Sequence, residues 1–131
     1  MERRLKGPGR YDRLAEICGF VASAAEAAGL DEVASGRCQL AVDEACTNVI
    51  EHGYAGEDKG DIEIVCEARP GELKITILDR GKPFDPTTAP EPNLDTGVED
   101  MAIGGLGIYF VRQVMDRVEF TSENGTNRLV L

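Results

Sequence analysis

From residue 11 to residue 52 the apolar side chains of this chain recur at three- and four-residue steps, and from residue 61 they alternate. That switch of period, from helical to extended, sets the arrangement of elements. Leu14, Ile17, Val21 and Ala24 give an amphipathic helix over residues 11–28, ended by Gly29. Asp31 is a good N-cap for a second helix running to about His52, where Gly53 stops it. Ahead of both, residues 3–6 read as a short strand closed by Gly7-Pro8-Gly9. Beyond Gly53, residues 61–67 and 73–78 read as strands joined by the turn Arg69-Pro70-Gly71-Glu72.

Residues 83–105 are irregular and contain Pro83, Pro86, Pro90 and Pro92. So long a loop in a small domain is usually a functional lid. A third helix is expected over residues 107–115, then strands over 118–121 and 127–131 around the turn Glu123-Asn124-Gly125. The order is β-α-α-β-β-lid-α-β-β. It predicts an α/β (α+β) fold: a two-layer sandwich of a mostly antiparallel mixed sheet with the helices on one face.

The 131 residues fit a single domain, spanning 1–131, with a real core. No apolar run approaches the roughly 20 residues needed to span a bilayer. The basic start, Met1-Glu2-Arg3-Arg4, has no apolar stretch behind it and is not a secretion signal, so a cytoplasmic protein is expected. Cys18, Cys38, Cys46 and Cys66 form no C-x-x-C pair and there is one histidine, which argues against zinc and for reduced core thiols. A net charge of −10 argues against direct nucleic-acid binding, which needs a basic face, and suits a partner with a basic patch.

Three elements carry chemistry. On the second helix, at about 100° per residue, Asn48 and Glu51 fall within about 40° of Glu44, and His52 lies at about 80°. Val42, Cys46 and Val49 cluster on the opposite side. An ordinary amphipathic helix with a solvated polar face would look similar. Asn48, however, is a poor helix former placed mid-helix with no capping task. The second element, Asp79-Arg80-Gly81-Lys82-Pro83-Phe84-Asp85-Pro86, follows a strand directly. A carboxylate there can accept from an exocyclic amine, and the glycine permits close backbone approach, although Asp-x-Gly is also a common turn. The third, Gly104-Gly105-Leu106-Gly107, opens a helix, where converging N–H groups and the helix dipole favour phosphate. It is neither a Walker motif nor a dinucleotide fingerprint.

Taken together, Glu44-x-x-x-Asn48, Asp79-x-Gly81 and Gly104-Gly105-x-Gly107 resemble the Bergerat ATP-binding fold of the GHKL superfamily, which includes gyrase and the histidine kinases. Val42-Asp43-Glu44-Ala45-Cys46-Thr47-Asn48-Val49-Ile50-Glu51-His52-Gly53-Tyr54 is similar to the corresponding box of the anti-sigma-factor serine kinases, and the likeness extends over the whole chain. The resemblance implies an ATP-dependent serine/threonine protein kinase acting as an anti-sigma factor. It would phosphorylate a serine on a STAS-type anti-anti-sigma protein and sequester a sigma factor. Asn48 would hold Mg²⁺ against the ATP phosphates, and Glu44 would be the general base. Asp79 would accept from the adenine amine, with Gly81 supporting the ring. Gly104, Gly105, Leu106 and Gly107 would meet the phosphates, and residues 86–103 would be the lid. His52 would contact phosphate or close the helix, and Thr126 is a further candidate for the adenine pocket. Relatives of this kind dimerise, and the N-terminal strand and first helix are the natural surface for it.

Residues 87–103 contain Glu91, Asp95, Glu99 and Asp100 but no Lys or Arg. A cation near the γ-phosphate would then come from Mg²⁺, from Lys82, Arg80 or Arg112, or from a partner. A second reading follows: an ATP/ADP-binding regulatory module with little or no kinase activity. A histidine kinase is not expected, because the only histidine, His52, lies within the nucleotide motif and no helix with a phosphoacceptor histidine precedes it.

Overall fold

A computed structural model describes residues 1–83, 111 and 113–131. Strand β1 (Glu2–Pro8) leads through a 3₁₀ turn (Tyr11–Arg13) into α1 (Leu14–Ala27), and α2 (Glu32–Asn48) continues into a π-helical turn (Val49–Gly53). Strands β2 (Asp61–Arg69), β3 (Glu72–Asp79), β4 (Glu119–Glu123) and β5 (Thr126–Val130) follow. The sheet order is β1-β2-β3-β5-β4, and every pairing among the described residues is antiparallel.

The helices pack on one face of this sheet because their apolar stripes and the inward positions of the strands have matching faces. Ile17, Val21 and Ala24 of α1 and Cys38, Val42 and Cys46 of α2 meet Ile62, Ile64, Ile75, Ile77 and Leu129 of the sheet. Each aliphatic side chain of this size, fully buried, stabilises the fold by about 1.5–3 kcal/mol. The Asp31 side chain accepts from the Ala34 backbone N–H at 2.8 Å and so caps α2 as expected. The β4–β5 turn carries positive φ at both central residues, Asn124 (53°) and Gly125 (79°), the combination that a two-residue hairpin requires.

Element boundaries differ from the sequence reading by one to three residues in most places, and three of them bear on the site. Strand β1 runs on through Gly7 and Pro8, which were expected to turn; Pro8 pairs opposite Asp61 on the sheet edge, where its missing N–H costs no ladder bond. The second helix does reach Gly53, but its last turn is π-helical, with Tyr54 N–H donating to Val49 O at 2.8 Å. Strand β4 is displaced by one residue at its start, to Glu119. Of the expected third helix, Met115 N–H donates to Val111 O at 3.2 Å, the one-turn bond of a helix end. The lid and Gly104, Gly105, Leu106 and Gly107 lie outside the described residues.

All four cysteines are free, and Cys38, Cys46 and Cys66 are buried. Among the described residues no helix is long and apolar enough to cross a membrane.

Candidate functional site

The end of α2 and the end of β3 enclose one cavity. Its walls are apolar: Ala45, Val49, Ile77, Val111, Phe120 and Leu129. Its polar groups are Asn48, Asp79 and Lys82, with Gly53 between them. An apolar cleft with a few convergent polar groups is the usual form of a small-molecule site.

Asn48 is the last residue of α2 and only 6% exposed, so the helix face bearing it is a cavity wall and not a solvated stripe. The π turn that follows widens the helix. Val49, expected on the side opposite Glu44, still makes the ordinary α-helical bond to Ala45 O and lines this cavity while packing against the core. Glu44 stands one turn before Asn48, half-buried, outside the cavity's lining. Burial pushes its carboxyl above the usual glutamate range, and the neighbouring charges of Asp43 and Glu51 push it the same way. Glu51 accepts from the Tyr11 hydroxyl at 3.2 Å, a contact from the 3₁₀ turn before α1 that no local sequence signal announces. His52 is half-buried in the π turn.

Asp79 is the last residue of β3 and 9% exposed. Its Oδ1 accepts from the Gly81 backbone N–H at 2.9 Å and from Asn127 Nδ2 at 2.9 Å. The same Asn127 nitrogen donates to Gly81 O at 2.8 Å. Lys82 N–H donates to Gly53 O at 2.8 Å and ties this turn to the π turn. A Cβ on Gly81 would stand 2.6 Å from Gly53 C, so the close approach that the glycine was expected to permit is one between two backbones.

Thr126 does not face this cavity. On β5, Asn127 and Leu129 point inward, opposite Asp79 and Ile77, while Thr126 lines an adjoining groove that shares Gly53, Asp79 and Lys82 with the cavity. Asn127 is the residue that sequence reasoning missed. The available signal was an amide in step with Leu129 and Leu131, on the buried side of a strand. The loop before β2 braces the Asp79 turn: the Tyr54 hydroxyl donates to Asp61 O at 2.5 Å and accepts from Arg80 N–H at 2.9 Å.

Residues 7–131 match the family described as the histidine kinase-like ATPase domain. The chain belongs to the histidine kinase-like ATPase family. Among known proteins, this ATPase-family chain is 32% identical over 94 residues to the serine-protein kinase RsbW of Bacillus velezensis, covering 66% of this chain and 57% of that protein. It is 36% identical over 94 residues to RsbW of Bacillus pumilus, with the same coverage of 66% and 57%. Against RsbW of Listeria monocytogenes serotype 4a it is 31% identical over 107 residues, 79% of this chain and 68% of that one. The matched stretch thus spans 57% of the length of the two Bacillus relatives.

Proposed function

We propose that this chain is an ATP-dependent serine/threonine protein kinase of the anti-sigma type. It transfers the γ-phosphoryl group of ATP to a serine of a STAS-type anti-anti-sigma protein and sequesters a sigma factor in the cytoplasm. The observation that carries the reading is one apolar cavity lined by both Asp79 and Asn48, with Glu44 one helical turn before Asn48. The family match and the kinase relatives point the same way.

In this reading adenine lies between Val49, Ile77 and Leu129, with its amine donating to Asp79. The phosphates extend toward Asn48 and the N–H groups of Gly104, Gly105, Leu106 and Gly107, with Lys82 supplying positive charge at the cavity wall. Thr126, in the adjoining groove, gives way to Asn127 as the strand residue of the base end.

The residues suit Mg²⁺ rather than a softer or fully caged metal. Asn48 offers a hard oxygen, and among the described residues no three His, Cys, Asp or Glu side chains gather around a common point. Magnesium commonly keeps waters and binds through one or two protein oxygens plus phosphates. Bound there, it would neutralise charge on the phosphate oxygens. Glu44, more basic as a carboxylate than an exposed glutamate, takes the proton of the attacking serine hydroxyl. The serine oxygen bonds to the γ-phosphorus, the bond to the β,γ-bridging oxygen breaks, and ADP leaves.

Incubation with Mg-ATP and candidate STAS-type proteins, read by mass spectrometry for phosphoserine, tests this directly. Glu44→Ala is expected to slow transfer by about 10²–10⁴-fold, with ATP affinity within a few-fold of wild type. Transfer at the wild-type rate in that variant sinks the base assignment. The absence of Lys and Arg from residues 87–103 favours a second reading, a nucleotide-controlled binding module. Partner regulation by ATP with no detectable transfer across those substrates would decide for it. Homodimerisation through α1 and the edge strand β1 goes with either reading.

A further inference from the structure

We propose that Asn127 is a specificity-positioning residue: it holds Asp79 so that the base end of the site accepts a purine bearing an amine at C6 and rejects one lacking it. This rests on the nucleotide reading above. Three hydrogen bonds carry it. Asp79 Oδ1 is filled by two donors, Gly81 N–H and Asn127 Nδ2, each at 2.9 Å. The Asn127 nitrogen spends its other proton on Gly81 O at 2.8 Å. The carboxylate is thereby pinned at one oxygen from two directions, by its own turn and by the neighbouring strand. No hydrogen bond to Oδ2 occurs among the described residues, and Asp79 lines the cavity.

The orientation of the Asn127 amide is fixed by its neighbours. Both groups facing its nitrogen, Asp79 Oδ1 and Gly81 O, are acceptors, so the flipped amide would set oxygen against oxygen twice. In the orientation present, Asn127 Oδ1 is buried without a partner among the described residues, on a residue only 2% exposed. A buried acceptor left unpaired destabilises the fold. A residue that breaks a local rule in this way is expected where function requires it, and what Asn127 supplies is the two donors on the Asp79 turn.

The chemical consequence is selectivity. A carboxylate pinned through Oδ1 presents Oδ2 only as an acceptor, which matches the C6 amine of adenine. A purine with hydrogen at C6 offers it nothing, and guanine opposes it with a carbonyl. Sites that dedicate a buried polar group to one substrate hydrogen bond discriminate strongly against analogues lacking it, because the group is then left unpaired. Without Asn127 the carboxylate is held only by the Gly81 N–H of its own turn, and that discrimination falls.

The experiment measures binding of ATP and of purine riboside triphosphate, which lacks the C6 amine, to the full chain and its variants by calorimetry. Wild type is expected to favour ATP by about tenfold or more, the equivalent of one hydrogen bond to a charged group. In Asn127→Leu the preference is expected to shrink to about twofold, a collapse that loss of general stability would not produce. Asn127→Thr, with one hydroxyl donor in place of two N–H groups, is expected to fall between them and serves if the Leu variant does not fold. An unchanged ratio in the variants, with both ligands weakened alike, overturns the role of Asn127 and leaves the nucleotide reading intact. A wild type that binds neither triphosphate, or binds both equally, overturns the adenine assignment of Asp79 and this proposal with it.

Discussion

Glu44 is held in an environment that penalises its charge. Burial, Asp43 and Glu51 all raise its pKa, so the folded state binds this proton more tightly than the unfolded chain does. Its contribution to stability is therefore fully present below the ordinary glutamate range and is lost as pH rises through the raised value. Glu44→Gln, which carries no charge at any pH, is expected to raise the melting temperature at pH 7 by a small margin. That margin should close as pH falls below the ordinary glutamate range in a melting series. A wild type more stable than Glu44→Gln at pH 7 would show that the carboxylate is stabilised in place. At this scale the sequence was unevenly legible. Glu44, Asn48, Asp79 and Gly81 stood out because helical spacing and strand ends are local properties. Asn127 did not, because its importance lies in the register that sets it opposite Asp79, 48 residues away. Its neighbour Thr126, named from sequence, lines the adjoining groove that also touches Asp79.

Among the elements, the contact between the Asp79 turn and the π turn is the tightest constraint on the site. Lys82 N–H donates to Gly53 O at 2.8 Å, and a side chain on Gly81 would collide with Gly53 C, O and Cα, all within 2.9 Å. Gly81→Ala is expected to force the two turns apart and to cost about 1–3 kcal/mol in urea unfolding, with ATP affinity falling alongside. A variant of wild-type stability would mean that one turn can shift freely. The helices and the β2–β3 hairpin were readable from apolar period, since burial on one face imposes that period directly. The π turn was not. An extra residue per turn is accommodated by tertiary packing, and at Val49–Gly53 it brings Gly53 O to the Lys82 N–H.

Over the whole molecule, one core joins the two layers, and three of the four thiols are sealed in it. Burial pushes Cys66 up to about 12 and raises Cys46 further still; Cys18, half-buried, is raised as well. A thiol-reactive dye at pH 8 is expected to label the native protein at Cys18 at most, and all four sites in guanidinium. Rapid labelling of Cys46 in buffer would show that α2 parts readily from the sheet. The overall α-on-β arrangement was legible, but the strand order was not, because no local pattern says that β5 inserts between β3 and β4. That insertion has a consequence for synthesis. The ribosome makes Asn48 and Asp79 early, yet until the closing strand emerges β3 keeps an open edge and Asp79 lacks its donor from Asn127. The Asp79 side of the cleft is thus completed only when β5 is in place, so a probe that reports the Asp79–Asn127 contact would report the docking of that strand as well.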